Sequence, residues 1–525
     1  MYVSIFNDVI GPVMRGPSSS HCAAALRVGR MARDLMEGDL KKVLVEFDGD
    51  GALATTHVSQ GSDMGLFGGL MGWDAIDDRL PDSARAIADK GIDVSIKITN
   101  LKVKHPNVYR LTLRNKRYRH VLTAISTGGG MIKIIDIDGF SVSIAGDYKE
   151  TLIYTKTDSS MIFDYLTKTI AADEILIHTN SDAHLLEVKA QEFVDDAILL
   201  EMKEQFHILA VRKLSPVLPV LSRVGLEVPF TTCKQMLDHK GYLGRFLWQL
   251  ALVYECTRGN LTEQEVLKRM NEIIRIMRNS VEQGLKGTDY DDRILGCQSA
   301  LFFQKMKDKN LLDVSLINRI ILYITAIMEV KSAMGVIVAA PTAGSCAVLP
   351  GACLAVGDEL GLCDEDIVKA MLAGGMIGVF IASRSTFAAE VGGCQAECGA
   401  ASGMAAAALA TLGGSTTEQA VAAASMALQN SLGMVCDPVA NRVEVPCLGK
   451  NVMAASNALA CANMALADYD PVIPLDEVIE AMDRVGRSLP YQLRCTALGG
   501  LSVTETSKAI EARLKGRLHN GDIMS

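Results

Sequence analysis

Hydrophobic and polar residues follow strand and helix spacing in the first part of the chain. After His21, the apolar residues Val28, Met31 and Leu35 are spaced by three and then four, which predicts an amphipathic helix. Strand-like runs follow, separated by Asp, Gly and Asn residues, at positions 43–47, 94–98, 108–113 and 132–137. We therefore expect residues 1–145 to form a mixed α/β domain.

A smaller unit is predicted for residues 146–213. Its pattern reads strand, helix, strand, strand, helix, strand, at positions 151–155, 160–170, 174–178, 184–190, 197–205 and 207–211. This βαββαβ order is the ferredoxin-like signature. It is similar to ACT-type modules, which bind small effectors; a packing or dimerisation module without a ligand fits the same pattern.

The rest of the chain is predicted to be helical. A proline-containing linker is expected at 214–235, a helical domain at 236–515 and a tail at 516–525. Thr262 and Glu265 stand in capping-box spacing and predict a helix start. Small residues dominate beyond residue 339, which favours closely packed helices. The fold class is therefore α+β, with an N-terminal mixed α/β domain, a central ACT-like module and a C-terminal all-α domain.

Charge and hydropathy exclude several classes of protein. With 52 Lys and Arg against 61 Asp and Glu, the 525 residues carry a net charge of −9, which disfavours nucleic acid as a partner. An uncharged stretch at 333–356 is interrupted by Pro341 and Pro350, so we expect no membrane span there. Asp8 and Pro12 interrupt the segment where a secretory signal would be apolar. We therefore expect a cytoplasmic protein with reduced thiols.

The distribution of the thirteen cysteines points to a metal or cluster site. Cys22 stands alone in the first 200 residues. Cys394 lies in a Gly-Gly-Cys-Gln-Ala-Glu run. Cys436 follows 42 residues later (436 − 394), two residues before a proline, and Cys447 follows 53 residues later (447 − 394), directly after a proline. Three thiolates on converging loops suit an iron–sulfur cluster or zinc. Cysteine also fills small core positions, and we assign that role to Cys353.

Two further segments carry polar side chains at predicted helix starts. Ser18, Ser19 and Ser20 precede the first helix, where hydroxyl and amide groups bind anions such as a carboxylate, although plain N-capping explains them equally well. The second segment, at 341–345, opens another helix. His21 is the candidate general base because an imidazole titrates near neutral pH, with a structural role as the alternative.

Four motifs in order along the chain resemble the iron–sulfur-dependent L-serine dehydratases (L-serine ammonia-lyases), with β-type and α-type domains fused. They are GPSSSH at 16–21, APTAGS at 340–345, GGCQAE at 392–397, and CDPVAN followed by VEVPC at 436–447. The resemblance implies conversion of L-serine to pyruvate and ammonia, in amino-acid catabolism and gluconeogenesis.

The same resemblance implies a cofactor and site residues. It implies a [4Fe-4S] cluster held by Cys394, Cys436 and Cys447, whose remaining iron acts as a Lewis acid on the substrate hydroxyl. It also implies substrate-side residues at the two helix starts, which are Ser18, Ser19, Ser20, Thr342, Gly344 and Ser345, with His21 as base.

Two departures from the family pattern leave the substrate and the base open. Relatives usually carry a Gly-His-Gly-Thr-Asp motif, whereas this chain has Gln60 at the histidine position, so that His57 is an alternative base. Some relatives end in a cysteine that closes the open iron, whereas this sequence ends in Ser525. Cys398, four residues after Cys394, is a spare ligand or a core residue.

The alternatives to L-serine deamination are L-threonine deamination, L-cysteine desulfuration, and an amino-acid or redox sensor with a structural cluster. A pyridoxal-phosphate enzyme is disfavoured because no lysine stands in a Schiff-base setting. A homodimer is expected, from the small-residue surfaces and the ACT-like unit.

Overall fold

The N-terminal part alternates helices and strands in the computed structural model, which describes residues 2–157, 159–239 and 244–521. Its helices are α1 Ala24–Leu35, α2 Leu53–Thr56, α3 Ser62–Met71 and α4 Ser83–Asp89. Its strands are β1 Val13–Met14, β2 Lys42–Asp48, β3 Asp93–Thr99, β4 Val108–Arg114, β5 Arg119–Gly128, β6 Met131–Ile137 and β7 Phe140–Ile144. The predicted mixed α/β character is confirmed, and β5 and β7 are strands that the sequence pattern did not predict.

Six of these strands form one sheet with the order β3-β2-β4-β5-β6-β7. Only β2 and β3 run parallel; the other neighbours are antiparallel. Helix α1 packs on this sheet through Val28, Met31 and Leu35, the three residues whose spacing predicted it. Helix α3 lies directly against α1, because a Cβ at Gly65 would be 2.0 Å from the Cys22 carbonyl oxygen and one at Gly69 would be 2.1 Å from that of Leu26.

The central unit forms a second sheet, covered on one face by two helices. Its elements are β8 Lys149–Thr155, α5 Ser159–Thr169, β9 Glu174–Thr179, β10 His184–Ala190, α6 Asp196–Gln205 and β11 Ile208–Leu214. The sheet is antiparallel with the order β11-β8-β10-β9. Ile153 and Leu186 pack beneath the helices, whereas Leu152 and Leu185 face the core of the N-terminal unit. The predicted order of elements is present, and an effector-binding role stays a prediction.

Almost all regular elements of the described chain after β11 are helices. They are α7 Cys233–Asp238, α8 Leu247–Gly259, α9 Glu263–Lys286, α10 Ser299–Lys307, α11 Ser315–Ser332, α12 Val348–Leu360, α13 Asp364–Arg384, α14 Ala389–Gly392, α15 Ala400–Leu412, α16 Thr417–Gln429, α17 Cys447–Leu466, α18 Leu475–Ser488 and α19 Glu505–Gly521, with one short strand, β12 Ile337–Val338. Thr262 and Glu265 form the predicted capping box at the start of α9. Helix α19 runs into the predicted tail, whose residues 522–525 lie outside the described part.

One helix among the described residues, α13, has the length and apolar composition that a membrane span requires. In this structure 78% of its most apolar window is buried inside the protein. Its neighbours are alanine-rich helices: a Cβ at Gly374 of α13 would lie 2.8 Å from the Met404 carbonyl oxygen of α15. Burial among other helices therefore accounts for the apolar sequence of α13.

Residues 2–14 belong to the helical core rather than to the α/β sheet. Ile5 and Val9 are fully buried among its helices, and β1 pairs with β12. Glu255 of α8 accepts hydrogen bonds from the Ser4 hydroxyl (2.5 Å) and from the Ile5 backbone N–H (2.8 Å). The chain therefore starts in the helical part and then crosses to the α/β part, so residues 15–23 lie at the junction between them.

Candidate active site

A small cavity with a volume of about 20 Å³ lies at this junction and is lined from both sides. The N-terminal unit contributes Ser18, Ser20, Gln60 and Gly129. The helical part contributes Thr342, Gly344, Phe387, Ala389, Glu390, Glu397, Cys436, Pro438, Val443, Cys447 and Cys495. The cavity therefore brings together polar groups that are more than 300 residues apart in sequence.

Two of the three predicted ligand cysteines, Cys436 and Cys447, line the cavity, and Cys394 lies beside Cys436. The sulfur atoms of Cys394 and Cys436 and a carboxylate oxygen of Glu397 lie within 4.8 Å of one another. Cys447, the first residue of α17, lines the cavity beside Cys436. Gly393 has φ 72°, and a Cβ there would lie 2.8 Å from the Met434 carbonyl oxygen, so glycine allows the two cysteine loops to approach.

A lysine lies beside the thiols. Lys450 Nζ is 3.8 Å from the Cys394 sulfur and donates hydrogen bonds to Asp437 Oδ1 (2.9 Å) and to the Val435 carbonyl oxygen (2.7 Å). A cation near a thiol stabilises its thiolate form, which is the form that binds metal. Lys450 lies three residues after Cys447, on the same side of α17.

Hydroxyl groups form the opposite wall. Ser18 Oγ lies 3.0 Å from His21 Nδ1, and Ser20 Oγ donates to Glu390 Oε1 at 2.9 Å. Ser18 occupies the N-cap position of the π-helical turn Ser19–Ala23, yet its side chain makes no capping bond. Plain N-capping therefore does not explain Ser18, and its hydroxyl faces the cavity instead.

His21 is fully buried behind the two serines. Its Nε2 lies 2.8 Å from the Thr56 hydroxyl, which itself donates to the Ala52 carbonyl oxygen at 2.7 Å. Because Thr56 has only one hydroxyl proton, Nε2–H must be the donor to Thr56, and Nδ1 is left as an acceptor for Ser18. Burial lowers the pKa of His21, against the opposing effect of Glu390, so the ring is neutral near pH 7.

The second predicted segment, residues 341–345, contacts the carboxylate of Glu397. Thr342 Oγ1 donates to Glu397 Oε1 at 2.6 Å, and a Cβ at Gly344 would lie 2.7 Å from the same oxygen. Burial raises the pKa of Glu397 to about 7, although the hydrogen bond from Thr342 acts to lower this pKa. Ser345 contacts the Thr342 hydroxyl at 3.1 Å, and Ser19 accepts a hydrogen bond from the Ala343 N–H at 3.2 Å. Ser19 and Ser345 thus connect the loops that line the cavity, and neither of them is a lining residue itself.

Two predicted candidates lie apart from the described cavity lining. His57 is paired through Nδ1 with Asp63 at 2.8 Å. The Cys398 sulfur accepts a hydrogen bond from Asn451 Nδ2 at 3.6 Å. Gln60, in contrast, lines the cavity, and its Nε2 lies 3.9 Å from the Cys495 sulfur.

The sequence analysis missed three lining residues: Glu390, Glu397 and Cys495. Glu390 and Glu397 flank Cys394 in the motif that was recognised, four residues before it and three after it, so a search for carboxylates near the ligands would have found them. Cys495 lies 59 residues after Cys436 (495 − 436) and shares no motif with it.

Buried thiols, carboxylates and hydroxyls around a small cavity define the class of the protein as an enzyme for a small polar substrate. The model of the family described as serine dehydratase alpha chain matches residues 192–502. The chain belongs to this family.

Similar proteins match each half of the chain. It is 39% identical over 255 residues to the probable L-serine dehydratase alpha chain of Bacillus subtilis, covering 49% of this chain and 85% of that one. Over 281 residues it is 36% identical to the L-serine dehydratase alpha chain of Peptoniphilus asaccharolyticus, covering 53% and 96%. Over 220 residues it is 31% identical to the probable beta chain of Bacillus subtilis, covering 41% and 99%. The resemblance to fused β-type and α-type dehydratase chains is confirmed.

Proposed function

We propose that the protein converts L-serine into pyruvate and ammonia by eliminating water, as the names of its relatives indicate. One observation carries the proposal: thiols lie on one wall of the cavity, while hydroxyl groups and carboxylates lie on the others. An amino acid needs a partner for each of its three polar groups, and this cavity offers all three kinds.

The thiols fit a [4Fe-4S] cluster as the cofactor. Cys394, Cys436 and Cys447 are all buried, and soft sulfur donors in this number suit iron–sulfur ligation. Lys450 offsets the negative charge that thiolates bring into the interior. When bound, the cluster supplies a Lewis acid for the hydroxyl group that leaves the substrate.

The remaining walls match the ammonium and carboxylate groups of the substrate. Glu390 and Glu397 face the cavity and bind the ammonium group, since a buried charge requires an opposite charge. The hydroxyl groups of Ser20 and Thr342, which donate to Glu390 and Glu397 in this structure, turn to the substrate carboxylate when these glutamates bind the ammonium group. Because Gly344 has no side chain, it leaves room for the Glu397 carboxylate.

Ser18 and His21 remove the α-proton in this proposal. The Ser18 hydroxyl lies between the cavity and His21 Nδ1, so a proton taken from the substrate passes through Ser18 to that nitrogen. Thr56 fixes the tautomer that leaves Nδ1 free to accept it. Loss of the proton and of water leaves an enamine, which hydrolyses to pyruvate and ammonia without further help from the protein. His57, paired with Asp63, is not used.

The domain bounds, the cellular location and the oligomeric state belong to the same proposal. We assign residues 1–145 to a β-type domain, 146–213 to an ACT-like module and 236–515 to an α-type domain. The antiparallel sheet order β11-β8-β10-β9 supports the ACT-like assignment, because it is the ferredoxin-like arrangement. We also propose a cytoplasmic homodimer.

The test is anaerobic purification with measurement of iron, sulfide and products in the same sample. We expect about four irons per chain and pyruvate from L-serine. Cys436→Ala should lose the cluster, whereas the matched control Cys461→Ser, in the core of α17, should keep it. A colourless or zinc-loaded protein that forms no pyruvate would contradict the proposal. Sulfide from L-cysteine, or 2-oxobutyrate from L-threonine, as the faster product would instead identify one of the alternative substrates.

A further inference from the structure

We propose that Asn441 and Arg442 are positioning residues for His21, the base of the proposed reaction, and that they act through Thr56. The inference rests on the proposed function and assigns a role to the chain between two of the proposed cluster ligands. We refer to this stretch, residues 437–446, as the ligand loop. It links the orientation of the base to the loop that connects two thiols of the site.

Two side chains of the ligand loop contact the α2 segment, which we define as residues 53–60 and which contains α2. Arg442 Nη1 donates to the Ser59 carbonyl oxygen at 2.9 Å, and Asn441 Nδ2 donates to the Thr55 carbonyl oxygen at 3.3 Å. Both donors belong to buried residues. Loss of either contact is costly, because the buried donor would be left without this partner.

Thr56 and Gln60 connect the α2 segment with the cavity. Thr56 directly follows Thr55, and its hydroxyl oxygen lies 2.8 Å from His21 Nε2. Gln60 directly follows Ser59 and lines the cavity. The Gln60 N–H donates to the Thr56 carbonyl oxygen at 2.9 Å, which joins the two residues. A displacement of the α2 segment would therefore change the hydrogen bond that fixes the tautomer of His21.

The backbone of the ligand loop is held in one conformation by its surroundings. Ala440 and Asn441 have φ 49° and 59°, and non-glycine residues keep such left-handed conformations only where their surroundings determine them. The Val439 N–H closes the loop by donating to the Val445 carbonyl oxygen at 2.8 Å, and the Ala440 N–H donates to the Ser507 hydroxyl at 2.9 Å. The loop is therefore a fixed support for the α2 segment.

Arg442 takes part in an ion pair on the other side of its guanidinium group. Its Nη2 donates to Asp292 Oδ1 at 2.5 Å, and its side chain is only 10% exposed. A buried guanidinium group needs such an anionic partner. The planar group thus contacts Asp292 in the helical part and Ser59 in the N-terminal unit, and a lysine, with its single nitrogen, does not reproduce this geometry.

The test is a double-mutant cycle between Arg442 and Thr56, measured as kcat and KM for pyruvate formation from L-serine under anaerobic conditions. Thr56→Val removes the hydroxyl that fixes the tautomer of His21, and Arg442→Gln removes the contact with Ser59. We expect each variant to lower kcat by about 10–100-fold with little change in KM. The double variant should be no slower than Thr56→Val alone, because Arg442 acts through Thr56.

Three further variants serve as controls. Asn441→Gly keeps the left-handed backbone and removes only the amide, so it should lower kcat in the same direction as Arg442→Gln. Arg442→Lys should restore part of the lost kcat, because it keeps the charge. Arg278→Gln breaks ion pairs with Asp358 and Asp364 within the helical part and should leave kcat unchanged.

A second measurement needs no catalytic activity. Hydrogen–deuterium exchange with mass spectrometry should show peptides covering residues 53–60 exchanging about tenfold faster in Arg442→Gln than in the unsubstituted protein. Arg278→Gln should show the unsubstituted rate in these peptides. The acceleration should be confined to the α2 segment and the ligand loop, which distinguishes a lost contact from general unfolding.

The outcomes separate this inference from the proposed function. Losses of kcat that add up in the double variant would overturn the inference, because Arg442 would then act independently of Thr56. Unchanged kcat in Arg442→Gln would overturn it as well. An unsubstituted protein that forms no pyruvate would contradict the proposed function. In that case faster exchange of residues 53–60 in Arg442→Gln would still support the contact, and equal exchange would overturn it.

Discussion

His21 illustrates how the surroundings of one residue select its chemistry. Its sequence position shows only that an imidazole follows three serines. Burial keeps the ring neutral, and the chain of hydrogen bonds from Nε2 through Thr56 to Ala52 leaves Nδ1 as the acceptor facing Ser18. The same residue type at position 57 is instead paired with a carboxylate outside the cavity.

Replacement of His21 tests the proton transfer. We expect His21→Gln to lower kcat for pyruvate formation by about 10²–10⁴-fold, because the side chain keeps hydrogen-bonding groups but accepts no proton at neutral pH. His184→Gln, at a half-buried histidine of β10 outside the cavity lining, is the control and should leave kcat unchanged. Equal rates for His21→Gln and the unsubstituted enzyme would show that another group is the base.

Glu397 should make the metal-free protein less stable as the pH rises. Its pKa is raised from 4.5 to about 7, so between these values the folded protein holds a proton that the unfolded chain has released. The free energy of unfolding therefore falls across this window, by up to about 3 kcal/mol for a shift of about 2.5 units. Thermal unfolding at pH 5 and pH 8 should show this loss for the unsubstituted protein and not for Glu397→Gln. The same loss in both proteins would mean that other groups cause it.

At the level of elements, local patterns predicted most strands, the helices α1, α5 and α6 and the start of α9, whereas the bounds of the other helices were not predicted. Strand β5 contains register shifts, between Thr123 and Ala124 and between Ser126 and Gly128, which break the alternation expected of a strand. Strand β7 alternates regularly between buried and exposed residues and was predictable from its sequence. The π-helical turn that carries the serines depends on the packing of α1 against α3.

Close contact between α1 and α3 positions this turn, and Gly65→Ala should disturb it. A Cβ at Gly65 would be 2.0 Å from the Cys22 carbonyl oxygen, so the helices must separate, at a cost of about 1–3 kcal/mol in stability. Gly449→Ala is the matched control: nothing lies within 4 Å of its Cβ, and alanine should stabilise α17 by up to about 1 kcal/mol. Unfolding midpoints in urea measure both effects, and a neutral Gly65→Ala would show that the helices move apart without strain.

On the scale of the whole molecule, the site exists only where two halves of the chain meet. Residues 5–14 pack into the helical core, and β1 pairs with β12, so the α/β part is attached by buried contacts as well as by the linker. Two relatives, named as an alpha chain and a beta chain, match 49% and 41% of this chain.

Separation of the two halves tests this attachment. A chain divided after Val224, in an exposed part of the linker, should give fragments that copurify and form pyruvate from L-serine under anaerobic conditions. Removal of residues 1–14 from the first fragment should abolish copurification, because burial of a residue such as Ile5 contributes about 2–5 kcal/mol. Fragments that stay separate with residues 1–14 present would show that the linker itself holds the halves together.

The sequence by itself determined the α+β class, the order of elements in the central unit, the capping box of α9 and the family, because periodicity, capping and motifs are local properties. It also identified Ser18, Thr342 and the three cysteines as chemically suited residues. Only the tertiary structure decided that Ser18, Thr342, Cys436 and Cys447 share one cavity, that Glu390, Glu397 and Cys495 join them, and that His57 does not. The physical reason is that contacts between residues hundreds of positions apart depend on how the two halves dock, and docking follows from complementary surfaces rather than from spacing along the chain.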